Sequence, residues 1–210
     1  MGRAASFAGV ILAAGESSRM GTDKALLPWP PQPPGDPAPK HTFLSSAIRS
    51  LLATDFVVVV TGKNEALLAP VAYAHGASII VNPDPSRGQF SSLQLGLHEV
   101  LNRGRDAAVI TLVDRPPASA ATAQLLRDAF ESAAQEIWAV VPEFSGKHGH
   151  PFVAGRELIE VFLQASATAS AREIEHRYQE HIRYVVVDDP FVGMNINTPK
   201  DYAALAGHSL

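Results

Sequence analysis

The segment that decides the fold is Val10-Ile11-Leu12-Ala13-Ala14-Gly15-Glu16-Ser17-Ser18-Arg19-Met20-Gly21-Thr22-Asp23-Lys24. An apolar run typical of a buried strand ends at Gly15, and a loop of small and polar residues follows. Small residues let backbone N–H groups approach an anion closely. Arg19 offers a planar guanidinium suited to phosphate, and Lys24 offers a mobile ammonium. We therefore predict that this loop binds a polyphosphate. The alternative is an ordinary strand-to-helix loop whose basic residues are incidental.

The spacing of the loop excludes two common phosphate-binding motifs. A P-loop has four residues between its glycines and a Lys-Ser/Thr pair directly after the second glycine. Here five residues separate Gly15 from Gly21, and Lys24 is followed by Ala25. The dinucleotide-binding pattern G-x-G-x-x-G is also absent from this segment.

The composition is typical of one globular domain that spans residues 1–210, with 46% hydrophobic and 18% charged residues. The net charge of −4 predicts no general affinity for nucleic acid or for a membrane surface. The chain has no cysteine, which excludes disulfides and thiolate catalysis. The apolar run at 7–14 is too short for a signal peptide or a membrane span, so we expect a cytoplasmic protein.

Short β-branched runs alternate with helical patterns along the chain, which predicts a three-layer, doubly wound α/β fold with a mostly parallel, mixed sheet. The predicted strands are residues 7–13, 56–61, 78–81, 107–113, 137–141 and 182–187, with a short one at 151–154. The predicted helices are residues 43–53, 65–75, 91–103, 118–134, 156–164 and 171–179, with a last one that starts at Thr198-Pro199 and carries Asp201 at the capping-box position.

A proline-rich insertion interrupts this alternation at about residues 28–40, with seven prolines between residues 28 and 39. Proline lacks a backbone N–H and fixes φ, so the segment is predicted to be an extended surface loop. It is interpreted as an inserted connection or a lid beside the phosphate-binding loop. A proline-rich ligand for another protein is the alternative.

Other polar motifs follow predicted strands, where open α/β sheets bind their ligands. Asp114 directly follows an apolar strand and is a candidate ligand for Mg²⁺, or else a helix N-cap. The segment Asn82 to Leu93 carries Gly88, Ser91 and Ser92 at the start of a helix, where free N–H groups and hydroxyls contact a ligand or simply cap the helix. Two further motifs are Gly149-His150-Pro151 and Asn195-Ile196-Asn197-Thr198-Pro199.

These motifs, led by L-A-A-G-x-S-x-R-M-G-x-x-K, resemble those of the MobA-like NTP transferase family, relatives of the molybdenum cofactor cytidylyl- and guanylyltransferases. The resemblance extends over residues 12–202, in the order of the family's motifs, and implies a Rossmann-like nucleotidyltransferase fold. It implies nucleotide binding by Leu12, Ala13, Ala14, Gly15, Arg19, Gly21, Lys24, Asn82, Gly88 and Ser92. It implies acceptor binding by His150, Asn195 and Asn197, Mg²⁺ binding by Asp114 and Asn197, and catalytic roles for Arg19, Lys24 and Asp114.

The chain departs from the family pattern at three places. Val113 replaces the usual glycine, and Arg115 replaces a methionine or glutamine, which puts a cation close to the predicted reaction centre. In the last motif both positions that are carboxylates in many cytidylyltransferase-like relatives are Asn195 and Asn197. An asparagine coordinates a metal only through a neutral oxygen, so Asp114 is the stronger metal candidate.

The resemblance implies Mg²⁺-dependent transfer of a nucleotidyl group from an NTP to a phosphorylated small-molecule acceptor, with release of pyrophosphate. Leu-Ala-Ala-Gly is the commoner form among cytidylyltransferases and favours CTP, whereas Asn-x-Asn favours GTP. We favour CTP with molybdopterin as acceptor, and molybdoenzymes or other cofactor-biosynthesis proteins as partners. A sugar- or polyol-phosphate acceptor is one alternative, and a non-catalytic NTP-binding regulator is the other.

Overall fold

The computed structural model describes residues 5–17, 19–31, 40–166 and 168–205. Its strands are β1 (Phe7–Leu12), β2 (Phe56–Thr61), β3 (Ser78–Val81), β4 (Ala107–Leu112), β5 (Ala139–Phe144), β6 (Lys147–His148), β7 (Phe152–Gly155) and β8 (Ile182–Val186). Its helices are α1 (Phe43–Ser50), α2 (Glu65–Ala74), α3 (Gln89–Asn102), α4 (Ala120–Glu131), α5 (Arg156–Gln164), α6 (Ala171–Arg177) and α7 (Pro199–Leu205). Among the helices of these described ranges, none is both long and apolar enough to cross a bilayer.

The strands form one sheet with the order β3-β2-β1-β4-β7-β5-β6, and β8 pairs with β5. Strands β1 to β4 run parallel, β7 is antiparallel to both of its neighbours, and β8 is parallel to β5. The predicted mostly parallel, mixed sheet is therefore confirmed. The chain order reverses between β1 and β4, since β2 and β3 lie on the other side of β1. Ligands of open α/β sheets bind beyond the carboxyl ends of strands at such a reversal.

Helices cover both faces of the sheet and form the predicted three layers. All six residues of β1 and of β4 are buried, as expected for central parallel strands with both faces covered. One apolar core lies under α1, α2 and α4, and a second lies under α3 and α5. Helix α3 packs very closely on β1, because a Cβ added to Gly96 would lie 2.6 Å from Val10 Cγ1. This contact holds the middle of α3 directly against β1.

Most elements lie where the sequence predicts them, and β2, β3 and α5 have the predicted bounds. The predicted strand at 137–141 is wrong in its bounds, because β5 begins at Ala139 and continues to Phe144, where β6 and β8 pair with it. Strand β6 was not predicted. It follows a two-residue turn, Ser145-Gly146, in which both residues have positive φ, and such turns close β-hairpins.

A third, smaller core joins the loop after β1, the base of the proline-rich insertion and the C-terminal helix. Its buried members are Met20, Leu27, Phe43, Phe191, Ile196 and Leu205. The Trp29 ring packs edge-on against Phe43 at 5.4 Å and against Phe191 at 5.0 Å between ring centroids. Residues 32–39 of the insertion lie outside the described ranges. Its two ends meet where the Trp29 N–H donates to the His41 carbonyl at 3.0 Å.

We expect that a short Gly-Ser turn in place of residues 30–39 leaves the melting temperature nearly unchanged. The ends of the insertion are already hydrogen-bonded to each other. Each doubling of loop length changes the free energy of loop closure by only about 0.6 kcal/mol. Thermal unfolding followed by circular dichroism measures this. The control is Trp29→Ala, which removes a partly buried ring from the third core and should lower the melting temperature by several degrees. A loss of similar size on deletion would show that the insertion is structural.

Candidate active site

The loop after β1, described at residues 13–17 and 19–23, folds back on itself, and we call it the cradle. Ser17 has a φ of 49° and Gly21 a φ of 71°, and these left-handed positions reverse the chain. The Ser17 hydroxyl oxygen accepts a hydrogen bond from the Lys24 backbone N–H at 3.1 Å, which joins the two limbs of the loop. Asp23 caps the helical turn Lys24–Leu26 by accepting from the Ala25 N–H at 2.9 Å. Backbone at the carboxyl end of a central strand is thereby brought to the surface in a fixed conformation.

Asn64, which sequence reasoning missed, ties this cradle to the neighbouring strand. Its side-chain N–H groups donate to the Ala13 carbonyl at 2.9 Å and to Asp23 Oδ2 at 2.6 Å. Its amide oxygen accepts from the Gly62 N–H at 3.0 Å. Both limbs of the loop are therefore anchored to the segment after β2. In the sequence Asn64 resembles an N-cap of α2, but its side chain makes no cap hydrogen bond.

Four predicted site residues come together beside the cradle. Lys24 is 8% exposed, and its Nζ lies 3.5 Å from Asn197 Oδ1. A guanidinium nitrogen of Arg19 donates to the same oxygen at 3.4 Å. The Ile196 N–H donates to the Asp114 carbonyl at 2.8 Å, which places the C-terminal motif next to the end of β4. The structure thus groups Arg19, Lys24, Asp114 and Asn197.

The segment that carries Asn197 is fixed by the start of α7. Asp201 Oδ2 accepts from the N–H groups of Asn197 at 2.9 Å and Thr198 at 2.8 Å. The Thr198 hydroxyl oxygen accepts from the Asp201 N–H at 3.2 Å, so the predicted capping box is confirmed. These hydrogen bonds hold the pKa of the Asp201 carboxyl below its usual value, as does the more distant charge of Lys24.

A cavity of about 280 Å³ lies between the cradle and the start of α3. Among the residues that line it are seven of the predicted nucleotide or metal ligands, namely Leu12, Ala14, Gly15, Lys24, Gly88, Ser92 and Asp114. Gly88 has a φ of 93° directly before α3, a conformation that favours glycine. Gln89 also lines this cavity, and sequence reasoning missed it. It is the first residue of α3, and only the tertiary fold turns it toward β1.

Four other predicted nucleotide ligands lie elsewhere. Ala13 is buried beneath the cradle, whereas Arg19 and Gly21 are exposed at its rim. Asn82 is buried, and its side-chain N–H groups donate to the Ser91 and Ser92 hydroxyl oxygens, each at 2.9 Å. Its amide oxygen accepts from the Asp84 N–H at 3.0 Å. The Asn82 side chain therefore fixes the loop before α3, and its role toward the nucleotide stays a prediction.

Asp114 fits a role in binding a divalent cation. Its Oδ1 is buried without a hydrogen-bond partner, which is costly for a carboxylate oxygen unless a ligand compensates. Within the described ranges, no group of three or more His, Asp or Glu side chains could hold a metal by itself. An ion at Asp114 would take its other ligands from phosphates and water, as Mg²⁺ commonly does. The Asn197 oxygen faces two cationic side chains, so its coordination of a metal stays a prediction.

A second, larger cavity of about 820 Å³ adjoins the first and shares Leu12, Gly88 and Gln89 with it. Its floor is apolar and consists of Phe90, Leu93, Ile110, Leu112, Val141 and Phe152. Arg115 and His150 line it too. The predicted acceptor ligands are thus divided, because His150 lies in this cavity, Asn197 lies beside Lys24, and Asn195 is exposed outside both cavities.

The polar wall of the larger cavity is poorly solvated. Burial, and to a smaller extent the nearby charge of Arg115, lowers the pKa of His150 to about 3, so the imidazole is neutral near pH 7. Burial also lowers the pKa of the Arg115 guanidinium, although the adjacent Asp114 opposes this effect. His150 Nδ1 and Arg115 Nε are both buried without hydrogen-bond partners. One Arg115 terminal nitrogen donates to the Val192 carbonyl at 3.3 Å.

Gly149 explains how His150 is held in this wall. The Gly149 N–H donates to the Pro142 carbonyl at 3.1 Å, and the His150 N–H donates to the Val192 carbonyl at 2.9 Å. A Cβ at residue 149 would lie 1.7 Å from the Val192 oxygen, so only glycine fits between these two segments. Packing therefore explains the glycine of the predicted Gly-His-Pro motif, and its histidine lines the cavity.

Comparisons with known proteins agree with this geometry. Residues 9–182 match the MobA-like NTP transferase domain family. The chain is 31% identical to the molybdenum cofactor guanylyltransferase of Xanthomonas euvesicatoria pv. vesicatoria over 94% of this chain and 93% of that one. It is 25% identical to the molybdenum cofactor cytidylyltransferase of Escherichia coli K12 over 92% of each chain.

A solved structure shares the architecture. The crystal structure of Rv0371c from Mycobacterium tuberculosis H37Rv superposes with a TM-score of 0.78 and 25% identity, over 97% of this chain and 98% of that one. The fold, the motifs around the cradle and the matched domain all lead to one assignment. The chain belongs to the MobA-like NTP transferase family and is a nucleotidyltransferase.

Proposed function

We propose that this nucleotidyltransferase transfers CMP from CTP to the phosphate of molybdopterin and releases pyrophosphate, in a Mg²⁺-dependent reaction. The observation that carries the proposal is the buried Asp114 Oδ1, which has no hydrogen-bond partner. Asp114 lies with Lys24 in one cavity and next to a second cavity that contains Arg115. A donor nucleotide and a phosphorylated acceptor require two such adjoining spaces. The two molybdenum cofactor transferases with which the chain aligns almost end to end support this acceptor.

In this reaction, residues of the chain bind and orient the charged phosphate groups of the substrates. The cradle's N–H groups and Arg19 hold the β- and γ-phosphates, because guanidinium and backbone donors suit phosphate oxygens. Lys24 binds the oxygens on which charge grows as the bond to the leaving pyrophosphate breaks. When bound at Asp114, Mg²⁺ neutralises charge on phosphate oxygens. A phosphate nucleophile is already ionised, so the chain need not supply a general base. His150 is neutral near pH 7, so its ring adds no positive charge that would repel a cation next to it.

CTP is favoured because Ala14 lines the first cavity, where guanylyltransferases usually have glycine. The methyl group of Ala14 leaves less room in this cavity than a glycine would, which suits the smaller cytosine nucleotide. GTP is the second candidate, supported by the 31% identity to a guanylyltransferase and by the Asn195-x-Asn197 pattern.

The test supplies each of the four NTPs with Mg²⁺ and molybdopterin and measures pyrophosphate release. We expect release with CTP, and we expect CTP to give the largest rise in melting temperature, since a ligand that binds only the folded state stabilises it. Faster release with GTP would make the protein a guanylyltransferase. If NTPs raise the melting temperature but sugar or polyol phosphates alone act as acceptors, the proposed acceptor is wrong. NTP binding without release on any acceptor would indicate a regulator.

Arg115→Met is expected to raise the KM for molybdopterin at least tenfold, because hydrogen bonds to charged groups contribute about 1.5–3 kcal/mol. Methionine has a similar length and is the residue of the family pattern, so the fold should persist. The KM for CTP should be nearly unchanged. Steady-state kinetics with each substrate varied in turn measure both constants. Arg177→Met, which removes an exposed arginine of α6, is the matched control. Equal changes in the two KM values would contradict a role for Arg115 at the acceptor.

A further inference from the structure

Arg115 follows β4, and β7 and β5 separate β4 from β6 and β8 in the sheet. The end of the larger cavity at β6 and β8 carries a carboxylate without an assigned role. This end is lined by residues of α6, by His148 of β6 and by Tyr184 of β8. Glu175 of α6 is the one acidic side chain among the described residues that line the cavity. It is partly buried, and burial raises the pKa of its carboxyl, although the positive charges of Arg172 and His148 oppose this. This end therefore combines a carboxylate with the basic side chains of Arg172 and His176, and it differs from the Arg115 end in offering a carboxylate to a ligand.

Two of the groups near Glu175, His148 and Glu173, have other partners, whereas the charge of Arg172 acts on Glu175 without a hydrogen bond between them. His148 Nε2 lies 3.2 Å from Glu143 Oε2, and the His148 ring stacks on Tyr184 with 3.9 Å between centroids. The other glutamate within α6, Glu173, accepts from the Ser170 N–H and hydroxyl, each at 2.9 Å, and so completes a capping box. In contrast, none of the described residues donates a hydrogen bond to the Glu175 carboxylate. A half-buried carboxylate without donors is unfavourable unless a ligand supplies them.

The distribution of polarity along the cavity indicates the shape of its occupant. One end has the Arg115 guanidinium, the floor is apolar, and the far end has the Glu175 carboxylate beside Arg172 and His176. A matching ligand has an anionic group, a flat body with apolar faces, and N–H donors on its far edge. A sugar or polyol phosphate has no flat apolar face for the six apolar side chains of the floor. A phosphorylated pterin has all three features.

We propose that Glu175 determines acceptor specificity by accepting two hydrogen bonds from the adjacent N–H donors of the acceptor's amino-oxo-pyrimidine ring. This inference rests on the proposed function for the identity of the acceptor class. A carboxylate offers two acceptor oxygens in one plane, and this geometry suits a pair of parallel N–H donors. The assignment gives the far end of the cavity a role in recognition, whereas Arg115 holds the phosphate at the near end.

The test compares two probe rings, pterin and lumazine, which differ in the group at one ring position. Lumazine has a carbonyl oxygen where pterin has an amino group, so it lacks one of the two donors and places an acceptor next to the carboxylate. Binding is followed by the change in probe fluorescence, without nucleotide, at a pH where both rings are neutral. We expect wild type to bind pterin about tenfold or more tightly than lumazine.

Glu175→Gln should lower pterin affinity about tenfold and abolish the preference for pterin, because an amide offers one acceptor and directs a donor at the ring. The matched control is Glu131→Gln, which changes an exposed glutamate at the end of α4, the helix on the opposite face of the sheet, and should keep the preference. An unaltered thermal shift with CTP shows that Glu175→Gln is folded and binds nucleotide.

The outcomes separate this inference from the proposed function. Equal binding of the two rings by wild type, no binding of pterin, or a preference that survives in Glu175→Gln would each overturn the role of Glu175. None of these results bears on pyrophosphate release, which is measured separately with NTP and acceptor. Conversely, failure of pyrophosphate release together with a Glu175-dependent preference for pterin would refute nucleotidyl transfer and leave the recognition site in place.

Discussion

Lys24→Ala is expected to lower kcat by about 10²–10³-fold, in line with the loss of one preorganised donor at a site of developing charge. Lys24 lines the smaller cavity and is 8% exposed, so solvent screens its charge little. Its contact with phosphate should strengthen as the leaving pyrophosphate gains charge, and an interaction of this kind affects kcat more than KM. The measurement is kcat at saturating CTP and acceptor, with pyrophosphate release as the signal.

The control for Lys24→Ala is Lys63→Ala. Lys63 is exposed and pairs with Glu16 at 2.8 Å on the outer side of the same loop, and an exposed ion pair of this kind contributes little. Its removal should leave kcat unchanged. This result would show that the fall in kcat in Lys24→Ala does not come from a general loss of positive charge near the loop. The backbone N–H of Lys24 keeps its bond to Ser17 in the alanine variant, so the cradle should persist. A kcat near that of wild type would remove Lys24 from the phosphate site.

The grouping of Arg19, Lys24 and Asp114 could be predicted from the sequence because these residues follow the ends of apolar strands. Parallel strands whose carboxyl ends lie at one edge of a sheet bring the loops after them together, whatever the details of packing. Asn197 could be placed with them only through the family resemblance, because the Ile196–Asp114 backbone hydrogen bond joins segments far apart in the chain.

Other parts of the site depend on tertiary contacts that leave no local pattern. Asn82 has a position suited to a ligand, but its amide is taken up by Ser91 and Ser92, which only side-chain orientation reveals. Strand β7 is inserted antiparallel between β4 and β5, and Phe152, its first residue, is part of the apolar floor of the larger cavity. An apolar run alone does not show which neighbours a strand will have. Glu175 could not be distinguished from Glu173, the other glutamate of α6, for the same reason.

Asp114→Asn is expected to lower Mg²⁺-dependent kcat by about 10³-fold, because loss of the one carboxylate at the proposed metal site forfeits several kcal/mol of charge stabilisation. Asparagine has nearly the same shape, and the backbone carbonyl of residue 114 still accepts from the Ile196 N–H, so the C-terminal motif should stay in place. The measurement is kcat as a function of Mg²⁺ concentration, with melting temperature as the check on folding. Normal turnover at normal Mg²⁺ concentrations would exclude Asp114 as the ligand.

Asn197→Asp tests whether the second predicted metal ligand lies at the ion. In the Asp114→Asn background it returns one carboxylate to the group formed with Lys24 and Arg19, and we expect part of the lost activity to return at high Mg²⁺ concentration. In the wild-type background the same change adds a second carboxylate and should lower the Mg²⁺ concentration required. If Asn197 instead serves only to hold the two cations, which its 3.4 and 3.5 Å contacts with Arg19 and Lys24 also permit, the new carboxylate will form ion pairs with them. The Mg²⁺ requirement would then be unchanged and the double variant would stay inactive, which would leave Asp114 as the sole protein ligand.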